Sequence, residues 1–214
     1  MSYDHVILPA GAVSTATQVD GFLTAQDGQP VAAAIAEIAA ELDKRNAELP
    51  EADSFLAVSP VADAALGEAL FVSSPYDAIG HVRGLLFELA TPRGYAVYDP
   101  QLSWLIDPDG SVPLAVTHGG AGEFPYLTKA LVELWIPELG VPGPYLIADR
   151  GDQFYIQTYR HEDGHYDLEY REGSPEKHFA AVTDDARIVS QLIWDWANGD
   201  RARFDTLNWE KLSF

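Results

Sequence analysis

The sequence predicts an α+β protein: an N-terminal βαββαβ-type sandwich followed by an antiparallel sheet packed on a C-terminal helix. Three observations carry that expectation. Apolar residues in the first half switch repeatedly between the two-residue period of strands and the 3.6-residue period of helices. A Gly-rich break, THGGAGEF (Thr117–Phe124), separates this half from the remainder. Beyond it, alternating runs joined by short turn-forming loops lead into one amphipathic helix. The expected domains are residues 1–118, an α/β sandwich, and 119–214, an antiparallel sheet with its helix.

His5–Leu8 (HVIL) is a short apolar strand that Pro9 and Gly11 terminate. TATQVDGFLTAQ has weak helical spacing. A stronger helix is expected over Pro30–Leu49, with proline in its first turn. Its Ile35, Ile38, Ala39 and Leu42 recur at helical spacing, Glu37, Glu41, Lys44 and Arg45 take the wet side, and Pro50 ends it. SFLAVSP and EALFVSS are strand candidates. Ser74-Pro75 opens a second helix whose Ile79, Val82, Leu85, Leu86 and Leu89 form one stripe, and Pro92 and Gly94 stop it. YAVYDP and LSWLIDPDG read as strands, the latter closed by an Asp/Pro/Gly turn.

After the Gly-rich break, PYLTKALVELW is a helix limited by Pro137. GVPGP (Gly140–Pro144) is too rich in Gly and Pro for regular structure. Three strands follow, with YLIAD as a candidate fourth, and then a helix from Asp184 to Asn198. Thr183 is its expected N-cap, Asp184 and Asp185 occupy its first turn, and Gly199 follows its end. Ile188, Val189, Leu192, Ile193 and Trp196 make its apolar face. The tail FDTLNWEKLSF reads as a short helix and a last strand.

The register of one hairpin can be derived from its own residues. QFYIQTYR and HYDLEYR are joined by Glu162-Asp163-Gly164, and a left-handed Gly164 makes a common three-residue connection. Tyr159 then pairs with Asp167, Gln157 with Glu169, and Tyr155 with Arg171. The opposite face receives Phe154, Ile156, Thr158, Leu168 and Tyr170, and a slip of one residue would mix the two sets. A four-residue loop, Gly173 to Glu176, places Arg171 opposite His178 and Tyr170 opposite Phe179. One face is therefore apolar and packs on the C-terminal helix. The other gathers Tyr155, Gln157, Tyr159, Asp167, Glu169, Arg171 and His178.

Three uses of that polar face compete: a solvated sheet surface with cross-strand ion pairs, a protein-binding face anchored by Tyr and Arg, and a catalytic or metal site. The expected partner-binding residues are Tyr155, Gln157, Glu169, Arg171 and His178. His161 and His165 flank the turn and, with Asp163 or Asp167, have metal-ligand character, but the spacing identifies no third ligand. No metal, cofactor or catalytic residue is therefore assigned. Asp99-Pro100 is first of all a turn former, and Asp107 with Asp109, read as paired carboxylates for acid–base work, is a chance pairing in so acidic a chain. Pairing Glu88 with Asp99 is chance for the same reason, and His81 is expected to pack on its helix. His118-Gly119-Gly120 resembles part of an oxyanion-hole loop without a Gly-x-Ser-x-Gly elbow beside it. The glycines fit neither dinucleotide nor phosphate-loop spacing. Trp194, Trp196 and Trp209 are expected in the core or over it.

Bulk properties bound the function. Of 214 residues, 47% are hydrophobic, which makes the chain a folded one. No apolar run approaches the ~20 residues of a membrane span, and MSYDHVILPAG lacks the form of a secretory signal. The absence of cysteine excludes disulfides, thiol nucleophiles and thiolate zinc sites and fits a cytoplasmic protein. With 13 basic and 33 acidic residues the formal charge is −20. That charge repels nucleic acid and anionic membranes and steers a basic protein partner, or serves solubility alone. It is spread along the chain: 16 acidic and 4 basic residues lie in 1–118, 17 and 9 in 119–214.

The segments FYIQTYR…HYDLEYREGSPEKHF, WANGD and LNWEKL, between Phe154 and Leu212, carry E-Y-R-x-G, W-A-x-G-D and W-E-x-L patterns. They resemble immunity proteins of bacterial polymorphic toxin systems, in particular the Imm1-like group. The earlier stretch FVSSPYDAIGHVRGLLFELATPRGYAVYDPQ resembles an uncharacterised bacterial family. The first resemblance implies a cytoplasmic, non-enzymatic protein that neutralises a cognate toxin by tight binding, and an acidic surface suits a basic toxin. From a different class, a small hydrolase or metal-dependent enzyme with its site between the two halves remains an alternative, as does a homodimer formed through the sheet.

Overall fold

In a computed structural model, which describes residues 2–212, the chain forms two units, residues 1–109 and 110–214. Both sheets are antiparallel and both carry helices, which is the α+β class that the alternating periodicities predict.

The first unit is built on β1 (Tyr3–Pro9), whose Val6, Ile7 and Leu8 are buried. Apolar residues in succession mark a strand covered on both sides, so β1 lies centrally rather than at an edge. β2 (Ala65–Leu66), β3 (Ala69–Ser74), β4 (Tyr95–Asp99) and β5 (Trp104–Ile106) complete a sheet of order β2-β3-β1-β4-β5. With α1 (Val19–Gln26), α2 (Ala33–Ala47) and α3 (Ile79–Ala90) the order of elements is β1-α1-α2-β2-β3-α3-β4-β5, which departs from the expected βαββαβ by a second helix before β2 and a further strand, β5. The predicted stripes are buried over Ile35, Ile38, Ala39 and Leu42 of α2 and over Val82, Leu85, Leu86 and Leu89 of α3, while Ile79, at the start of the α3 stripe, is half-buried. Each of the buried Ile, Val and Leu side chains among them contributes about 1.5–3 kcal/mol.

Two expectations in this unit need correction. α2 starts at Ala33, so Pro30 precedes the helix instead of standing in its first turn. SFLAVSP is not a strand. The Asn46 side-chain carbonyl accepts from the backbone N–H groups of Phe55 and Leu56 and from the Ser54 hydroxyl, at 2.9, 3.2 and 3.0 Å. With those donors satisfied by a helix side chain, the segment needs no strand ladder, and Phe55 and Leu56 are buried all the same.

The second unit contains β6 (Val112–His118), β7 (Gly122–Leu127), α4 (Lys129–Glu138), β8 (Tyr145–Asp149), β9 (Phe154–Arg160), β10 (Tyr166–Glu172), β11 (His178–Thr183), α5 (Ala186–Asn198) and β12 (Glu210–Lys211). The sheet order is β12-β11-β10-β9-β8-β6-β7. The expected boundary at 118/119 therefore moves to 109/110, because THGGAGEF is the turn of the β6–β7 hairpin and not a linker. Its glycines serve close backbone approach: a Cβ on Gly119 would stand 2.6 Å from the Gly143 carbonyl oxygen, and one on Gly143 only 2.1 Å from the Gly119 carbonyl carbon. Residues 110–118 carry no charge, so both units keep the net acidity read from the sequence.

α4 and α5 bury Leu131, Val132, Trp135, Ile136, Val189, Leu192, Ile193 and Trp196. Opposite them lie Val116, Phe124, Leu146, Ala148, Ile156 and Leu168 of the sheet, all buried. Thr158, on this same face, satisfies its hydroxyl by donating to the Asp167 carbonyl at 2.8 Å. Thr128 caps α4 through the Leu131 N–H, and the Arg160 guanidinium holds the Pro137 and Leu139 carbonyls at its other end. The cap of α5 is Asp185, which accepts from Arg187 N–H at 2.9 Å, and not Thr183. Thr183 instead accepts the Asp185 N–H, one step further out. Gly199 ends α5 in the left-handed conformation, as its position predicts. The tail forms a short 3-10 turn and β12, and its last two residues lie outside the described ones.

Candidate functional site

The polar face of the second sheet follows from three strand registers. β9 pairs with β10 as the turn chemistry predicts: Tyr159 with Asp167, Gln157 with Glu169, and Tyr155 with Arg171. Arg171 faces His178 and Tyr170 faces Phe179 across β11. Gly164 is left-handed, at φ 94°. The five residues expected to bind a partner, Tyr155, Gln157, Glu169, Arg171 and His178, thus share one face.

They are also linked to one another. One Glu169 carboxylate oxygen accepts from the Gln157 amide at 3.0 Å and lies 3.1 Å from His178 Nε2. An ionised carboxylate only accepts, so His178 Nε2 carries the proton. The Tyr155 hydroxyl stands 3.4 Å from the same nitrogen, and the Arg171 guanidinium lies over the Tyr155 ring at 5.9 Å while donating to Gln153 at 3.3 Å. Burial pushes the Tyr155 phenol pKa up; Arg171 opposes this shift, and Glu169 and Asp149 add to it. His178 is only 4% exposed. Of the five, it is therefore placed to orient Glu169 and Tyr155 and has little surface to offer directly.

Sequence reasoning missed the contribution of β8 and β6. Tyr145 faces Tyr159, Ile147 faces Gln157 and Asp149 faces Tyr155. Thr117 of β6 continues the row beside Ile147 and donates to Glu123 at 2.9 Å. The alternation in YLIAD marks the outward set, but the choice of β9 as its partner is a long-range one. A groove of about 240 Å³ results, lined by Tyr145, Ile147, Gln157, Tyr159, Asp167 and Glu169. Across β8, β9 and β10 one row holds Tyr145, Tyr159 and Asp167 and the next Ile147, Gln157 and Glu169, so both carboxylates stand along its β10 side. Tyr159 is 46% exposed, and Val182, beyond Asp167 on the same face, is 64% exposed.

The remaining candidates resolve into structural roles. Asp107 accepts from Asp109 N–H and Gly11 N–H, at 2.9 and 2.8 Å, as a turn former does. Glu88 is engaged by Arg45 at 2.8 Å, and Asp99 is wholly buried against Tyr3 and Arg83, so the two carboxylates do not form a pair. His81 is exposed and meets Phe55 edge-on at 5.1 Å. His118 packs edge-on against Trp135 at 5.5 Å, within the unit's core. Trp196 is core, whereas Trp209 joins Tyr170 and Phe204 in an aromatic cluster and donates to the Phe204 carbonyl. At the turn end of β9–β10, His161 and His165 do acquire a third potential ligand, Asp167.

No helix among the described residues is long and apolar enough to cross a membrane. No family model, curated protein or solved structure matches the chain.

Proposed function

We propose that the chain is a non-enzymatic acidic binding protein whose open sheet face, centred on β8–β9–β10, receives a basic protein partner. One observation carries this reading: the groove combines Tyr145 and Tyr159 with the Asp167 and Glu169 carboxylates. Aromatic faces beside carboxylates are the chemistry that accepts a Lys or Arg side chain, through cation–π contact and charge-assisted hydrogen bonds. A rigid sheet holds these groups at little entropic cost. The charge of −20 supports the same partner, since it accelerates encounter with a cationic surface. The resemblance of E-Y-R-x-G and its companion segments to toxin-immunity proteins makes a basic toxin the favoured partner and the cytoplasm the favoured compartment.

The test is capture from the source lysate on immobilised chain, at low and moderate salt, beside a variant carrying Asp167→Lys and Glu169→Lys. A basic protein held by the wild type at moderate salt and lost by the variant is the expected result. Equal retention by both removes the face from the interaction, and retention by neither removes the binding reading. With the partner in hand, Glu169→Ala or Arg171→Ala is expected to weaken affinity by about 1 kcal/mol or more, measured by calorimetry. Unchanged affinity in both would overturn the assignment of the face.

A further inference from the structure

We propose that the closed end of the β9–β10 hairpin is a binding site for one zinc-type divalent transition ion, ligated by His161, His165 and Asp167. One ligand atom from each of these residues lies within 4.8 Å of the other two. The constellation is a product of the register. His161 and His165 close the hairpin, with His161 N–H donating to the His165 carbonyl at 2.8 Å and the Gly164 N–H to the His161 carbonyl at 3.0 Å. That closure fixes both Cα positions and sends both imidazoles to the same side of the sheet, where Asp167 follows two residues on. The rings stack at 4.0 Å with 13° between their planes, and His161 Nε2 stands 2.7 Å from the Asp167 carboxylate.

Ligand atoms around a tetrahedral ion at 2.0–2.1 Å are about 3.3–3.4 Å apart. The 4.8 Å limit exceeds this by up to about 1.5 Å, and the 2.7 Å between His161 Nε2 and Asp167 falls short of it; rotation of the side chains covers both differences. The three side chains are 36%, 35% and 45% exposed, so they have room to turn and an ion has a path in. Asp163 supplies the outer support common at metal-binding histidines: its carboxylate accepts from His165 Nδ1, the tautomer that leaves the lone pair of Nε2 available to an ion. Two imidazole nitrogens and one carboxylate oxygen select zinc and its neighbours over magnesium or calcium, which require oxygen donors. Three protein ligands leave a fourth position open, and a hollow of about 620 Å³ bordered by Val141, Pro144, Tyr159 and both histidines adjoins it. The site is thus of the open kind, able to take a water molecule or a donor atom from another molecule. It stands whether or not the sheet face binds a protein.

The experiment is calorimetric titration of metal-stripped full-length protein with Zn²⁺ in a large excess of Mg²⁺. The expected result is one saturable site per chain, with His161→Ala and His165→Ala each weakening it by about ten-fold or more. The same addition is expected to shift the ring resonances of two histidines, identified by their loss in those variants. Far-ultraviolet circular dichroism of the double variant checks that the hairpin still folds. Should the double variant unfold, Asp167→Asn, which keeps the side-chain volume, is expected to give the same loss of affinity. Three results would overturn the proposal: no saturable binding, binding abolished by Mg²⁺, or unchanged affinity in correctly folded ligand variants.

Discussion

Asp99 concentrates the polar energetics of the first unit into one side chain. It is fully buried and accepts from the Tyr3 hydroxyl at 2.6 Å, the Arg83 guanidinium at 3.0 Å and the Leu102 N–H at 3.0 Å. The bond to Leu102 is the turn-forming role that Asp99-Pro100 predicts; the other two arise only in the fold. Asp99→Ala takes a carboxylate from beside a buried guanidinium and is expected to cost about 3–5 kcal/mol, read as a fall in the urea midpoint. Burial, and then the Asp99 carboxylate, push the Tyr3 phenol pKa well up. His5, also fully buried, has its pKa lowered to about 4, first by burial and then by Arg83, against smaller opposing effects of Asp99 and Asp4. The folded chain therefore holds this ring neutral, while the unfolded chain protonates it near 6.5. Above that pH the contribution is intact; as pH falls from about 6.5 to 4 the unfolded state takes up the proton and stability drops, by about 3 kcal/mol in all. Urea titrations across this window should show a shallower slope in His5→Asn than in the wild type.

At the scale of elements, the second hairpin and the segment after α2 mark two limits of local reasoning. The β9–β10 register was legible because Ile156, Thr158 and Leu168 share a buried face and because Glu162-Asp163-Gly164, with Gly164 left-handed, is a common three-residue connection. SFLAVSP reads as a strand by the same criteria, yet Asn46 takes the Phe55 and Leu56 N–H groups. No pattern within seven residues shows that a helix side chain will do so. Asn46→Ala leaves the Phe55 and Leu56 N–H groups without that acceptor and is expected to cost about 1–3 kcal/mol. Hydrogen exchange at those two amides should accelerate, while amides in the middle of α3 keep their protection. If exchange is unchanged, the segment is held by its buried Phe55 and Leu56 side chains instead.

At the scale of the molecule, each unit possesses its own sheet and its own buried side chains, which is the physical basis for independent folding. Residues 110–214, produced alone, are therefore expected to unfold in one cooperative urea transition with native-like near-ultraviolet circular dichroism from Trp135 and Trp196. A gradual, non-cooperative loss of signal would show that this unit depends on the rest of the chain. The acidic excess exists in both units, so the steering of the proposed cationic partner would not depend on one unit alone. In the proposed binding role, specificity would come from the groove, where Tyr145, Tyr159, Asp167 and Glu169 lie together.

The sequence by itself determined the α+β class, the stripes of α2, α3 and α5, and the membership of Tyr155, Gln157, Glu169, Arg171 and His178 in one face. All of these depend on periodicity and turn chemistry, which act between residues close along the chain. Tertiary structure alone decided that β8 lies beside β9, that Tyr145 and Ile147 complete the groove, and that His178 is buried beneath its rim. It also decided that THGGAGEF is a hairpin turn inside a unit. A glycine cluster permits either a turn or a boundary, and the choice falls to strand pairing. Which strands become neighbours is settled by the burial of whole faces against α4 and α5, a global balance that no short stretch of sequence contains.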